Sequence, residues 1–349
     1  MSALDDVILS ATDGERLSAD DIETVLSVES DRDMEKVFEC ARSITERNFG
    51  RKVFTYGFVY FSTYCRNNCT FCYYRRDNDI ERYRRSREEI VSLSESLYDS
   101  GVNLIDLTMG EDPYFCRDGH REFLDTVRDV KDSTNAPIMA SPGVFAKEEF
   151  PELRRAGANW FACYQETHNR GLFDSVRVGQ DYDMRLRQKE WAGGCGLLTE
   201  EGIMTGIGES VRDRAESVMM MTDSRIQQVR VMTYVPQEGA PLIPTNDDVR
   251  RDELLTIAAL RMANPGKLIP ASMDIEGMEG LGPRIMAGAN VVTSIVPPNV
   301  HLAGVAQHEL DIDNGNRSIE AVSLALDRMG YEPATGRDYR NIMRMLRGE

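Results

Sequence analysis

From Val53 onward the chain alternates short β-rich runs with amphipathic helical stretches, and it does so eight times. Strand–helix repetition of this kind is the pattern of an α/β fold. The expected strands cover 53–61, 103–108, 138–141, 160–165, 202–206, 229–234, 268–274 and 291–295. Ser86-Arg87-Glu88-Glu89 reads as a capping box that opens a helix over 88–99, and Gly101 ends it. Pro137 stands just ahead of the third run, where its missing N–H does little harm. Eight repeats predict a single-domain (β/α)8 TIM-type barrel with extra N- and C-terminal helices. Residues 1–50 form the helical extension, with helices opening at Asp20-Asp21-Ile22 and at Asp33-Met34-Glu35-Lys36-Val37. Residues 51–349 form the barrel and two final helices, over 319–329 and 339–346.

Barrels of this type carry their active site at the C-terminal ends of the strands. The residues least suited to a core fall there: Asp106, Ser141, Glu166, Arg230, Ser272 and Asp274. Asp106 and Arg230 are each flanked by aliphatic residues, and a charge in a barrel strand is costly unless it is paired or faces a ligand. Ser272 and Asp274 share parity, and so do Ala162, Tyr164 and Glu166. A buried structural ion pair is the competing reading for Asp106. By the same parity Cys163 faces the helices unless a bulge intervenes. His168 is expected at the surface or behind the site.

The net charge of −17 argues against a nucleic-acid or anionic-membrane partner, which would call for a basic surface. No run of apolar residues is long enough to span a membrane, and Met1 to Ser10 lack the basic and apolar regions of a signal peptide. A cytoplasmic location is expected. Seven cysteines, an odd number, argue against a disulfide framework.

Three of those cysteines crowd into Cys65-Arg66-Asn67-Asn68-Cys69-Thr70-Phe71-Cys72, directly after the first strand. Thiolates are the preferred ligands of iron–sulfur clusters, and three on a 4Fe–4S cluster leave one iron open to a chelating molecule. Zinc usually takes four ligands, often as two pairs, and neither a second C-x₂-C nor a paired His spacing occurs. Cys116, Cys163 and Cys195 read as structural.

The spacing, its position and the aromatic Phe71 before the third cysteine resemble the radical S-adenosylmethionine superfamily. Further segments are similar to the methylornithine synthase family within it, a branch close to biotin synthase and the hydrogenase maturases. They include Asp106-Leu107-Thr108-Met109-Gly110-Glu111, Tyr164-Gln165-Glu166-Thr167, Arg177-Val178-Gly179-Gln180, Val229-Arg230-Val231-Met232-Thr233 and Leu268-Ile269-Pro270-Ala271-Ser272. The likeness covers residues 49–298. It implies a lysine mutase that makes (3R)-3-methyl-D-ornithine through a 5′-deoxyadenosyl radical, by fragmentation and recombination. The implied cofactors are a 4Fe–4S cluster on Cys65, Cys69 and Cys72, and S-adenosylmethionine held by Glu166 and Arg177 with help from Ser141 and Arg185. A solvated helix position is the competing reading for Arg185. Met109-Gly110-Glu111 stands where the superfamily often has Gly-Gly-Glu. The implied substrate pocket is Asp106, Arg230, Ser272 and Asp274. Arg230 suits the carboxylate of L-lysine, and the two acids suit its ammonium groups. The expected partners are that small molecule and an electron donor such as a flavodoxin or ferredoxin, with the enzyme a monomer. The alternatives are another radical enzyme of the same branch, for sulfur insertion or cofactor maturation, and an electron carrier or cluster scaffold. A carrier has little use for an enclosed pocket of Asp and Arg.

Overall fold

The computed structural model describes residues 2–244, 248–297 and 317–349. Its longest described strand, β1 (Lys52–Ser62), is buried on both faces because both are apolar. Tyr56, Phe58 and Tyr60 pack in the barrel interior, while Val59 and Phe61 pack in the outer cluster beneath the helices. The strands β2 (Leu104–Met109), β3 (Ile138–Ser141), β4 (Trp160–Ala162), β5 (Leu198–Thr205), β6 (Gln228–Thr233), β7 (Pro270–Ser272) and β8 (Val291–Ile295) follow. All their ladders are parallel, in the order β6-β5-β4-β3-β2-β1-β8-β7. Between β6 and β7 only the bridge Gln228–Leu268 forms, with Val229 N donating to Leu268 O at 3.0 Å. With β7 three residues long, the bases of these strands meet and their tips do not, so eight parallel strands make a nearly closed barrel.

The final helix, Gly336–Arg347, closes the floor. Its Tyr339, Ile342 and Met343 join the interior cluster, and Tyr339 OH donates to Tyr56 OH at 2.9 Å. A two-residue strand, β9 (Glu332–Pro333), pairs with the start of β1 and leads into it. It was not foreseen, since two residues carry no periodicity. The N-terminal helices Ala3–Asp13, Ala19–Leu26 and Asp31–Phe49 are capped by Ser2, Ser18 and Ser30, and they pack on the helices outside β5 and β6. The capping box at Ser86 and the left-handed Gly101 occur as expected. No described helix is long and apolar enough to cross a membrane.

Three strands differ from the sequence reading. β5 begins at Leu198, four residues early, because Glu200 and Glu201 disguise its first half. β7 keeps only Pro270–Ser272, and Asp274 N turns back onto Ser272 Oγ at 3.3 Å. β4 stops at Ala162, although Glu166 pairs again with β5 through a bridge to Ile203. Five residues from Ala162 to Glu166 oppose four from Glu200 to Ile203, which is a bulge of one residue. Side chains take up the lost ladder. Glu201 Oε1 accepts from Gln165 N at 2.7 Å, and Lys189 Nζ donates to Cys163 O at 3.0 Å. The bulge breaks the alternation, so Cys163 touches the outer cluster and also reaches the inner pocket.

Candidate active site

The three thiols stand on a loop that follows β1 and has no ladder of its own. Its carbonyls are tied down by one guanidinium: Arg82 donates to Thr63 O at 2.5 Å, Arg75 O at 2.7 Å and Asn78 O at 3.0 Å. On its other side lies Met109-Gly110-Glu111, where Arg66 N donates to Glu111 O at 3.0 Å. Gly110 is required there, because a Cβ would stand 2.3 Å from Tyr64 O. Cys65, Cys69 and Cys72 thereby line one mouth of the pocket above the strand ends. Burial pushes the Cys65 thiol up to about 11 and raises Cys72 further, with the neighbouring thiols adding to it. Bound iron must therefore displace protons here.

Polar donors approach the sulfurs. Gln180 Nε2 donates to Cys69 Sγ at 3.0 Å and Arg177 Nη1 lies 3.7 Å from it. Among the described residues no three His, Cys, Asp or Glu side chains converge as a single ion would require. Three buried thiols with amide and guanidinium donors around them suit a polynuclear cluster, whose sulfurs accept such bonds.

Glu166 and Arg177 form a buried ion pair beside Cys69. Burial opposes the Arg177 charge, but Glu166 and Cys69 outweigh it and hold the guanidinium above its ordinary value. Glu166 sits at φ 68°, a left-handed conformation that is costly for a residue with a Cβ. The same bulge that imposes it turns the carboxylate into the pocket. Its Oε2 and Arg177 Nε are buried with no partner among the described residues, two groups available to a ligand. Arg185 is not a solvated helix residue: it is 6% exposed, donating to Tyr164 O at 2.5 Å and standing 3.4 Å from Glu111. Ser141 lines the same pocket, its hydroxyl donating to Asp106 Oδ1 at 2.7 Å.

Deeper in the barrel, Arg230 Nε donates to Glu200 Oε1 at 2.8 Å, and Tyr164 OH donates to the other oxygen of that carboxylate at 2.9 Å. Burial opposes the Arg230 charge, and Glu200 outweighs it. Arg230 Nη2 is left buried and unpartnered. Asp274 receives Tyr60 OH at 2.7 Å and Arg317 Nη1 at 3.3 Å, with Ser272 Oγ 3.2 Å away. Asp106 differs from both. Only the hydroxyls of Ser141 and Thr108 reach it, and among the described residues no cation does. Burial is the chief reason its carboxyl is pushed up to about 7, with Glu200 adding and Arg230 opposing.

The expected site residues therefore all meet in one cavity. Sequence reasoning missed Glu200, Gln180, Tyr60 and Arg317. Glu200 left a signal: it shares parity with Gly202 and Met204 and stands in line with a strand. Arg317 left none, since it comes from irregular chain far from Asp274. His168 lies behind the site, buried 4.0 Å from Glu201, and burial lowers its tendency to charge.

Comparison with known proteins agrees with this geometry. Residues 59–221 match the radical SAM superfamily. The chain is 43% identical to a 3-methylornithine synthase of Methanosarcina acetivorans, over 95% of both chains. It is 41% identical to one of Methanosarcina barkeri, over 95% of this chain and 94% of that one. A crystal structure of methylornithine synthase (PylB) superposes with a TM-score of 0.92 at 41% identity, covering 96% of this chain and 99% of the other. Radical SAM enzymes use a 4Fe–4S cluster and S-adenosylmethionine, which the thiols and the Glu166–Arg177 pair are suited to hold. With such identity maintained along almost the whole of both chains, this chain belongs to the 3-methylornithine synthase family of radical S-adenosylmethionine enzymes.

Proposed function

We propose that the enzyme isomerises L-lysine to (3R)-3-methyl-D-ornithine, the first step of pyrrolysine biosynthesis. The supporting observation is that, among the described residues, Asp106 is a buried carboxylate without a cation and Arg230 a buried guanidinium with a free Nη2, in the cavity that also holds the three thiols. A carboxylate without a cation and a guanidinium edge without an acceptor are what the ammonium and carboxylate groups of an amino acid complement. When bound, the cluster and S-adenosylmethionine supply the 5′-deoxyadenosyl radical that takes hydrogen from the substrate.

The chain's own residues then act by position. Cys65, Cys69 and Cys72 ligate the cluster. Glu166 and Arg177 hold the cofactor, with Arg185 bracing Glu111 and the backbone of Tyr164. Arg230 takes the substrate carboxylate with its free edge, while Glu200 and Tyr164 fix the other edge. Asp106, clamped by Ser141 and Thr108, takes an ammonium group. Ser272 and Asp274 bound the far end, where Arg317 already offsets part of the acid's charge. Charges at both ends anchor fragments that must not separate, and the apolar walls of Phe58, Met204 and Met232 keep water out. An electron donor such as a flavodoxin or ferredoxin supplies the reducing electron to a monomeric, cytoplasmic enzyme.

The test is anaerobic turnover of reduced, cluster-reconstituted enzyme with L-lysine and S-adenosylmethionine, with the product read by mass and chirality. Formation of 3-methylornithine supports the reading. Cofactor cleavage with lysine recovered unchanged, under conditions where another amino acid is rearranged, would replace the substrate.

A further inference from the structure

The end of the barrel opposite the thiols holds a second concavity. It is bordered by the start of β5, the turn into β6, Lys267 ahead of β7 and the last turn of the helix Gly336–Arg347. Arg154, Arg225, Lys267 and Arg347 line it, in a chain whose net charge is −17. None of the four has an ion-pair partner among the described residues. Arg154 reaches only Ala158 O at 3.5 Å, and Lys267 Nζ donates to three carbonyls, Met221 O at 2.6 Å, Thr222 O at 3.2 Å and Ser224 O at 3.3 Å, with no carboxylate among them. Arg347 Nε and Nη2 are shut off from water and meet no acceptor among the described residues. Glu190, Glu201 and Glu349 also border the concavity; none forms an ion pair with the four, although Glu349 acts on Arg347 at longer range.

Such an arrangement is unfavourable as it stands. Burial brings Lys267 down to about 8, and burial together with the nearby Arg154 lowers Arg347. Like charges gathered in a hollow repel and lose hydration, and a bound anion reverses both effects. The wall beside them is Gly193-Gly194-Cys195-Gly196, and it stays clear of side chains. A Cβ on Gly193 or Gly194 would meet nothing within 4 Å, and one on Gly196 would meet only Arg154 Nε at 4.0 Å. Three guanidinium forks and an ammonium around open backbone match the several oxygens of a phosphate better than a single carboxylate. We propose that this concavity is a binding site for a small phosphorylated anion, held by Arg154, Arg225 and Arg347 with Lys267 as a point charge, on the face opposite the active site.

Occupancy has a structural consequence. Arg347 ends the helix that plugs the barrel floor, while Arg225 and Lys267 precede β6 and β7. An anion bridging them clamps the plug to the barrel, so binding raises thermal stability.

The experiment uses cluster-reconstituted enzyme with saturating S-adenosylmethionine, so that the cofactor site is filled. Pyrophosphate and inorganic phosphate are titrated at low ionic strength by calorimetry, alongside a thermal melt. The expected result is one site per chain and a raised melting midpoint. Arg154→Gln and Arg225→Gln, both at partly or fully exposed positions, should each weaken pyrophosphate binding by about tenfold while cofactor cleavage stays at its original rate. Pyrophosphate binding no tighter than chloride competition allows, or binding unchanged in both variants, would overturn the proposal.

Discussion

Asp106→Asn should stabilise the substrate-free protein in a pH-dependent way. The carboxyl is 1% exposed, faces two hydroxyls and is pushed up to about 7 from an ordinary value of 3.8. Below about pH 3 it is protonated in both folded and unfolded chains, and folding costs almost nothing on its account. As pH rises toward 7 the unfolded chain ionises freely while the folded one resists, and stability is lost progressively. A rise from 3.8 to about 7 corresponds to about 4 kcal/mol lost once the pH passes 7. Asparagine keeps an oxygen for Ser141 and Thr108 but carries no charge to desolvate. The variant should therefore match wild type near pH 3 and exceed it by about 4 kcal/mol at pH 8. The assay is anaerobic denaturant unfolding of reconstituted enzyme across that range, with both proteins measured identically. Saturating lysine should shrink the gap, because an ammonium group beside Asp106 restores its charge in wild type alone. A difference that does not change between pH 3 and pH 8 would refute the argument that this acid is held without a cation. The same variant should lose methylornithine formation, since the feature that costs stability is the one that recognises substrate.

The other expectations concern cluster, cofactor and substrate in turn. Alanine at Cys65, Cys69 or Cys72 should abolish cluster loading, whereas Cys163→Ala and Cys195→Ala should keep about four irons per chain, measured by iron and sulfide analysis. A count near six that falls with Cys163 would point to a second cluster. Arg177→Ala should retain the cluster and weaken S-adenosylmethionine binding by about tenfold or more in equilibrium titration, because a charged fork is lost and Glu166 is left buried alone. Unchanged affinity would remove Arg177 from the cofactor site. Arg230→Lys and Asp274→Asn should lower methylornithine formed per S-adenosylmethionine consumed, since a point charge does not replace a planar fork and a fragment loses its anchor. Wild-type ratios in both would mean these charges serve only Glu200 and Arg317. Glu200→Gln should raise the KM for lysine more than it lowers kcat, since Arg230 keeps its charge and loses its orientation.

The bulge after β4 connects fold and site. A regular strand through Glu166 would need no Glu201 at Gln165 N and no Lys189 at Cys163 O. Those two residues, themselves 2.5 Å apart, form a buried pair that supports the irregular stretch from the helix side. The strain at Glu166 is thus maintained by residues that never enter the cavity.

The sequence by itself determined the barrel, the place of the site and the three thiols at its mouth. Strand periodicity and capping are local properties, and β3 (Ile138–Ser141) and β8 (Val291–Ile295) lie where their apolar runs end. The three cysteines are close in sequence, so their chemistry is legible without a fold. Charges in otherwise apolar strands likewise announced Asp106 and Arg230. What these charges face was left to the tertiary structure. Glu200 meets Arg230 only because β5 lies beside β6, and Arg317 meets Asp274 from 43 residues away. Ser141 approaches Asp106 through the β2–β3 register rather than joining Glu166. Burial, which raises the Asp106 carboxyl and leaves Arg230 Nη2 without a partner, is a property of the packed whole. Local sequence encodes backbone preference and residue chemistry, whereas pairing across strands and the loss of water around a charge arise only when distant segments close on one another.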